Sequence, residues 1–161
     1  MELDREILVN IINKALSELY DSDKYLIMNR PEDDLGSHVS ERAIVFRFGI
    51  YLQSLISQDL DLKNYNLDCE YNRVLYNKKT LPGFENGVYP DLIIHKRGKM
   101  EHNLLVMEVK TWWNSNTDMD CRKLRKFVSV DGLFKYKYGL SILVNKKSPE
   151  LKWVKSSGDE I

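Results

Sequence analysis

Val88-Tyr89-Pro90-Asp91-Leu92-Ile93-Ile94-His95 and Leu104-Leu105-Val106-Met107-Glu108-Val109-Lys110 are two apolar runs separated by the polar turn Lys96-Arg97-Gly98-Lys99. Their β-branched and aliphatic content and the glycine between them predict a β-hairpin. Strand side chains alternate faces, so Glu108 and Lys110 share one face while Met107 and Val109 share the other. Pairing of the two runs brings Asp91 to Glu108 and Lys110. Two acids and an amine then meet at the end of otherwise apolar strands.

The flanking sequence supplies elements on which such a hairpin can pack. Leu3, Ile7, Leu8, Ile11, Ile12, Ala15, Leu16 and Leu19 recur at helical spacing, which predicts a first helix from Leu3 to Tyr20. The polar stretch from Met28 to Gly36, with Pro31, reads as a loop. A second helix, capped by Ser37 or Ser40, runs to Ser57 with Glu41, Ile44, Val45, Phe48, Leu52 and Leu55 on one side. A strand is expected over Leu67–Tyr76, with Asp68, Glu70 and Asn72 on one face, and a loop over Asn77–Gly87. Beyond the hairpin, Asp118–Val130 reads as a helix with Met119, Leu124, Phe127 and Val128 inward and Arg122, Lys123, Arg125 and Lys126 outward. Tyr138–Val144 is a nearly continuous apolar run, suited to a strand buried on both faces. Leu151–Val154 adds a short edge strand. The order α-α-β-β-β-α-β predicts an α/β fold, a mixed central sheet with helices packed on it.

Composition narrows the class. A chain of 161 residues that is 43% apolar can bury one core, so residues 1–161 read as a single domain. No apolar run is long enough to span a membrane, and the acidic start does not resemble a signal peptide. Cys69 and Cys121 are far apart with no C-x-x-C partner, so they read as free thiols of a reducing cytoplasm. The formal net charge is zero but unevenly spread: residues 1–70 hold 14 acids against 7 Lys/Arg, and residues 122–155 hold 10 Lys/Arg against 2 acids. The basic third suits a phosphate backbone. With no net positive charge, a homodimer joining two basic faces, or a helper domain, would strengthen the hold on DNA.

The central cluster has a definite chemistry. A hard cation such as Mg²⁺ or Mn²⁺ takes oxygen ligands and is held by one or two carboxylates together with substrate phosphate and water. Asp91 and Glu108 supply the carboxylates, and the Val109 carbonyl between Glu108 and Lys110 is a third donor. Lys110 can orient a water or stabilise charge developing on a phosphate. Alone, a Pro-Asp pair at a strand start and a Glu-x-Lys pair on a strand face are ordinary. Together, with a basic helix following, they form a kit for hydrolysing a phosphodiester.

Pro90-Asp91 and Glu108-Val109-Lys110 resemble the motif of the PD-(D/E)XK nuclease superfamily, the restriction-endonuclease-like proteins. That resemblance implies an α-β-β-β-α-β core over residues 37–155, with residues 1–36 as a helical extension and residues 156–161 as a tail. It implies metal ligands at Asp91 and Glu108 and a catalytic lysine at Lys110. It also implies a further carboxylate on the first core helix, where Glu41 stands. Gly36-Ser37-His38-Val39-Ser40-Glu41-Arg42 is similar to the matching stretch of archaeal Holliday-junction resolvases, from whose compact form the Asn77–Gly87 insertion departs.

Accessory candidates follow from position. Glu70 is a further ligand or a structural partner on the first strand. His95 shares a face with Asp91 by spacing, as a hydrogen-bonded structural residue or a base. Asp120 and Lys123 touch substrate or water. Trp112-Trp113 stack on a base or serve as core or dimer contact. Three functions compete: a metal-dependent nuclease on DNA, a nuclease-like module that binds without cutting, and an interaction protein in which Asp91 and Glu108 do not face each other.

Overall fold

The apolar stripes of the first two long helices pack on each other and on one face of the sheet in the computed structural model, which describes residues 3–28 and 38–156. Helix α1 (Leu3–Ser22) buries Leu8, Ile11, Ile12, Ala15, Leu16 and Leu19. A single further turn, α2 (Lys24–Ile27), follows it. Helix α3 (Glu41–Gln58) buries Ile44, Val45, Phe48, Leu52 and Ile56. Ser40 takes its N-cap position, but its hydroxyl makes no capping bond, because the Ala43 N–H is already satisfied by the Ser40 carbonyl at 2.9 Å. Ser37, Pro31 and the tail beyond Ser156 lie outside the described residues.

The sheet has five strands in the order β1-β4-β5-β6-β7: β1 (Asn66–Cys69), β4 (Leu92–His95), β5 (Leu105–Thr111), β6 (Tyr138–Val144) and β7 (Pro149–Lys155). Neighbours β1, β4 and β5 are antiparallel, β6 is parallel to β5, and β7 returns antiparallel to β6. The parallel step is bridged by α4 (Asp118–Val128), as a crossover requires. The fold is therefore a mixed α/β sheet flanked by helices, with the expected α-β-β-β-α-β order from α3 onward. β7 is an edge strand longer than the short one expected.

Five expectations about the elements are corrected. The strand expected over Leu67–Tyr76 stops at Cys69, and the hairpin strand expected from Val88 starts only at Leu92. Cys69 pairs with Leu92, and continuing the register would set Tyr71 against Pro90, which has no N–H to offer. The chain instead turns out at Glu70, where φ is 48°. Arg73–Val74 (β2) then folds back on Asn77–Lys78 (β3) through Leu75 at φ 53°, so part of the expected loop is a hairpin. Helix α4 ends at Val128, and Met119 is 49% exposed rather than inward. The buried stripe of α4 runs through Asp120, Leu124, Phe127 and Val128: three of the four residues expected inward are there, and Asp120 is buried in place of Met119.

Alternation along the two central strands sets what meets what. Leu105, Met107 and Val109, with Leu92 and Ile94, pack toward α1 and α3. Val106 and Ile93 pack under α4 against Leu124, Phe127 and Val128. Glu108 and Lys110 continue the face of Val106, so they too lie under α4. The helix comes this close because β6 carries a glycine: a Cβ on Gly139 would lie 3.3 Å from both Leu124 Cβ and Val128 Cγ1. No described helix is long and apolar enough to cross a membrane. Gly139→Val is expected to lift α4 from the sheet at a cost of about 1–3 kcal/mol. Thermal melting should show a fall in Tm of several degrees, and an unchanged Tm would mean that this close approach is not needed.

Candidate functional site

Where β4 has stopped, the polar backbone of β5 is uncovered, and Asp91 occupies the gap. Its Oδ2 accepts a hydrogen bond from the Val109 N–H at 2.7 Å. The N–H and C=O of one strand residue point to the same side, so the Val109 carbonyl also faces the gap. Glu108 follows on the α4 face and is only 3% exposed. Its Oε2 accepts from Lys123 Nζ at 3.0 Å, while its Oε1 is buried with no hydrogen-bond partner.

The remaining charges come from three elements. Lys110 Nζ donates to Oε1 of Glu41, the first residue of α3, at 3.3 Å, and lies 3.7 Å from Asp120 Oδ2. Glu41 Oε2 accepts from Thr111 Oγ1 at 3.3 Å and from Asn114 Nδ2 at 3.5 Å. Lys123 Nζ also reaches Asp120 Oδ1 at 3.0 Å, one turn back on α4. Four carboxylates, Glu41, Asp91, Glu108 and Asp120, thus surround two ammoniums, Lys110 and Lys123.

Electrostatics follow from that surplus of acid. Burial pushes Glu108 up to about 8; Lys123 resists the shift, and the Asp91 and Asp120 carboxylates add to it. Asp91 is raised too, by burial first and by Glu41, against the bond from Val109. Burial pulls the Lys110 ammonium down, but Asp120 and Glu41 outweigh it and hold it above its ordinary value. Lys123 is raised in the same way, with Glu108 and Asp120 overcoming burial.

The donors present fit a hard divalent cation. They are all oxygens, Glu108 Oε1 is buried without a donor, and the carboxylates outnumber the ammoniums by two. Among the described residues, no three His, Cys, Asp or Glu side chains stand ready to close around an ion. Lys123 and Lys110 lie between the acids instead.

The other expected residues are placed as follows. His95 does not border the cluster: four residues along a strand is about 13 Å. Its Nε2 is 2.8 Å from Asp68 Oδ2, its ring packs on Tyr71, and Arg97 bonds the same carboxylate. Burial holds its imidazole below the ordinary value despite Asp68. Glu70, turned out of the strand by its left-handed backbone, pairs with Arg42 at 3.0 Å on the surface. Of the four basic residues expected outward on α4, Arg122 and Arg125 are exposed. Lys123 is turned inward, and Lys126 donates to the Pro82 carbonyl and covers the Phe84 ring. Trp112 donates to the Ile27 carbonyl at 3.0 Å beneath Lys146, and Trp113 stacks on His38 with ring centres 4.6 Å apart. Trp112 thus ties the loop after β5 to α2, and Trp113 ties it to the approach to α3.

Two buried charges escaped the sequence reading of the site. Asp120 was placed at substrate or water, but it is buried, with Oδ1 3.0 Å from Lys123 Nζ and Oδ2 3.7 Å from Lys110 Nζ; taking Met119 as the inward residue of the first turn concealed this. Lys79, expected in a loop, is 2% exposed among the rings of Tyr71, Phe127, Phe134 and Tyr136, with Nζ 3.1 Å from the Tyr136 hydroxyl. Burial lowers it to about 8.

No protein-family model matches the chain, and no curated protein matches it. Among solved structures, it aligns with a chain of the cryoEM structure of a DrdV–DNA complex at 16% identity and a TM-score of 0.43. The alignment covers 96% of this chain and 12% of that one, so this chain spans about an eighth of that length.

The raised Glu108 carboxyl makes a pH-dependent prediction for metal-chelated protein. The folded state holds this proton up to about pH 8, and the unfolded chain releases it near the ordinary 4.5, so stability falls as pH rises through that window. Glu108→Gln removes the penalty while keeping the shape. Its Tm should exceed wild type by ~2–6 °C at pH 8.5 and by much less at pH 5. An equal difference at both pH values would contradict the burial of this charge.

Proposed function

We propose that this protein is a metal-dependent nuclease that hydrolyses DNA phosphodiester bonds. One observation carries the reading: Asp91, Glu108 and Lys110 converge on one face at the uncovered end of β5, with Glu41 brought to Lys110 by a separate helix. An interaction protein with a chance motif has no reason for that convergence. Asp91 and Glu108 would hold Mg²⁺ or Mn²⁺, with the Val109 carbonyl beside them and Glu41 next to Lys110. A bound cation of this kind polarises a phosphoryl oxygen and lowers the pKa of a water.

The chain's own groups supply the rest. The Val109 N–H fixes the Asp91 carboxylate through Oδ2, leaving Oδ1 for a ligand role. Lys110, held by Glu41 and Asp120, keeps its proton and presents a fixed positive charge to a scissile phosphate. Arg122 and Arg125, exposed on α4, supply phosphate contacts along the backbone. Two arginines make a weak hold on DNA, and a homodimer would double them.

The reading of a binding module that does not cut draws on one observation, the ammonium partners already seated beside Glu41 and Glu108. Cleavage assays decide between the two. With Mg²⁺ or Mn²⁺, wild type should cut plasmid, single-stranded or branched DNA. Lys110→Ala, Asp91→Ala and Glu108→Ala should each lose about 10²–10³ in rate. Absence of cutting by wild type on all three substrates, or equal cutting by Lys110→Ala, overturns the nuclease reading.

A further inference from the structure

We infer that Lys123 is a built-in counter-ion: it holds Glu108 while no metal is bound, competes with the cation for that carboxylate, and withdraws onto Asp120 when the cation binds. The inference rests on the nuclease reading above, since it takes Glu108 as a metal ligand. The geometry is specific to Lys123. Its Nζ lies 3.0 Å from Glu108 Oε2 and 3.0 Å from Asp120 Oδ1, so it bridges a strand carboxylate and one on its own helix. Glu108 alone under α4 would be a buried, unpaired charge, and such a group is costly. The ammonium offsets part of that cost without a metal.

A divalent cation at Glu108 changes the balance. Glu108 Oε1 is open to a cation, but an ammonium on Oε2 and a cation on Oε1 repel each other across one carboxylate even in a polar site, so each weakens the hold of the other. Lys123 need not leave the cluster. Asp120 Oδ1 already accepts from it, and its side chain is 21% exposed, so it has open space to turn into. Lys110 behaves differently: its partners are Glu41 and Asp120, and nothing ties it to Glu108. The two lysines of the cluster therefore divide the work. Lys110 stays charged beside the substrate, and Lys123 stands in for the metal in its absence. Lys123 is a positioning residue in this account.

Direct titration with Mn²⁺, read by calorimetry and by loss of the free-ion electron paramagnetic resonance signal, tests this without any cleavage assay. Wild type is compared with Lys123→Met, which keeps the apolar stem, with Lys123→Gln, which keeps a neutral donor, and with Lys152→Met as a remote control. Both Lys123 variants should bind Mn²⁺ at least about tenfold tighter than wild type, with the control unchanged. In chelator the Lys123→Met protein should melt several degrees below wild type, and saturating Mn²⁺ should restore the loss. Wild type and both variants binding Mn²⁺ equally, or the variants binding more weakly, overturns the inference and leaves the nuclease reading intact. Binding by none of them overturns both. Binding only by the Lys123 variants supports the inference in its strongest form. If Lys123→Met does not fold in chelator, Lys123→Gln decides by the same comparison.

Discussion

Glu108 is a carboxylate on a strand whose two faces are covered, and most of the site answers to the cost of keeping it there. Strand β5 lies in the middle of the sheet, and every residue from Leu105 to Val109 is buried. A charge at such a position must be paired, protonated or metal-bound. Helix α4 brings Lys123 to it, and α4 comes within reach because Gly139 on the neighbouring strand offers no side chain. Asp120 then answers Lys123 on the same helix and reaches Lys110 on the strand. Helix packing and site electrostatics are one problem here.

Pro90 gives the cluster its opening. A proline cannot continue the ladder with β1, so β4 begins two residues later and the far end of β5 has no neighbour on that side. Asp91 is left at the edge of this gap, where its carboxylate replaces the missing strand by accepting the Val109 N–H. The Val109 carbonyl is left facing the same space. A strand that ran on through Tyr89 and Val88 would cover both groups. The Pro-Asp pair therefore does two separate jobs, ending a strand and capping the strand beside it.

How far the sequence could be read depended on whether a residue's fate was local. The long helices, the buried strand Tyr138–Val144 and the pairing of the two central runs are fixed by periodicity within a few turns or a few residues. Asp91, Glu108 and Lys110 inherit their common face from that pattern. Glu41 was found on its helical stripe and indeed reaches Lys110. Asp120 was misplaced because apolar Met119 looked like the core residue of the first turn, and Lys123 because its partner Glu108 lies on another element, which helical periodicity does not show. His95 shares a face with Asp91 but lies four residues along the strand, and it is the hydrogen-bonded structural residue of the two readings. Lys79 depends on rings contributed by Tyr71, Phe127, Phe134 and Tyr136, which no local pattern links to it.

The buried charges themselves separate a structural end of the sheet from a chemical one. Around His95, Asp68 is matched by Arg97 and the imidazole, and Lys79 is enclosed by aromatic faces and the Tyr136 hydroxyl. Those groups satisfy one another. At the other end, four carboxylates face two ammoniums, Glu108 keeps a buried oxygen without a donor, and its proton is held to about pH 8. A cluster needed only for stability would be expected to close on itself as the first one does. The carboxylates outnumber the ammoniums by two, and a bound cation would let Glu108 ionise. That imbalance, with the unpartnered Glu108 oxygen, is the ground for proposing function at this end of the sheet.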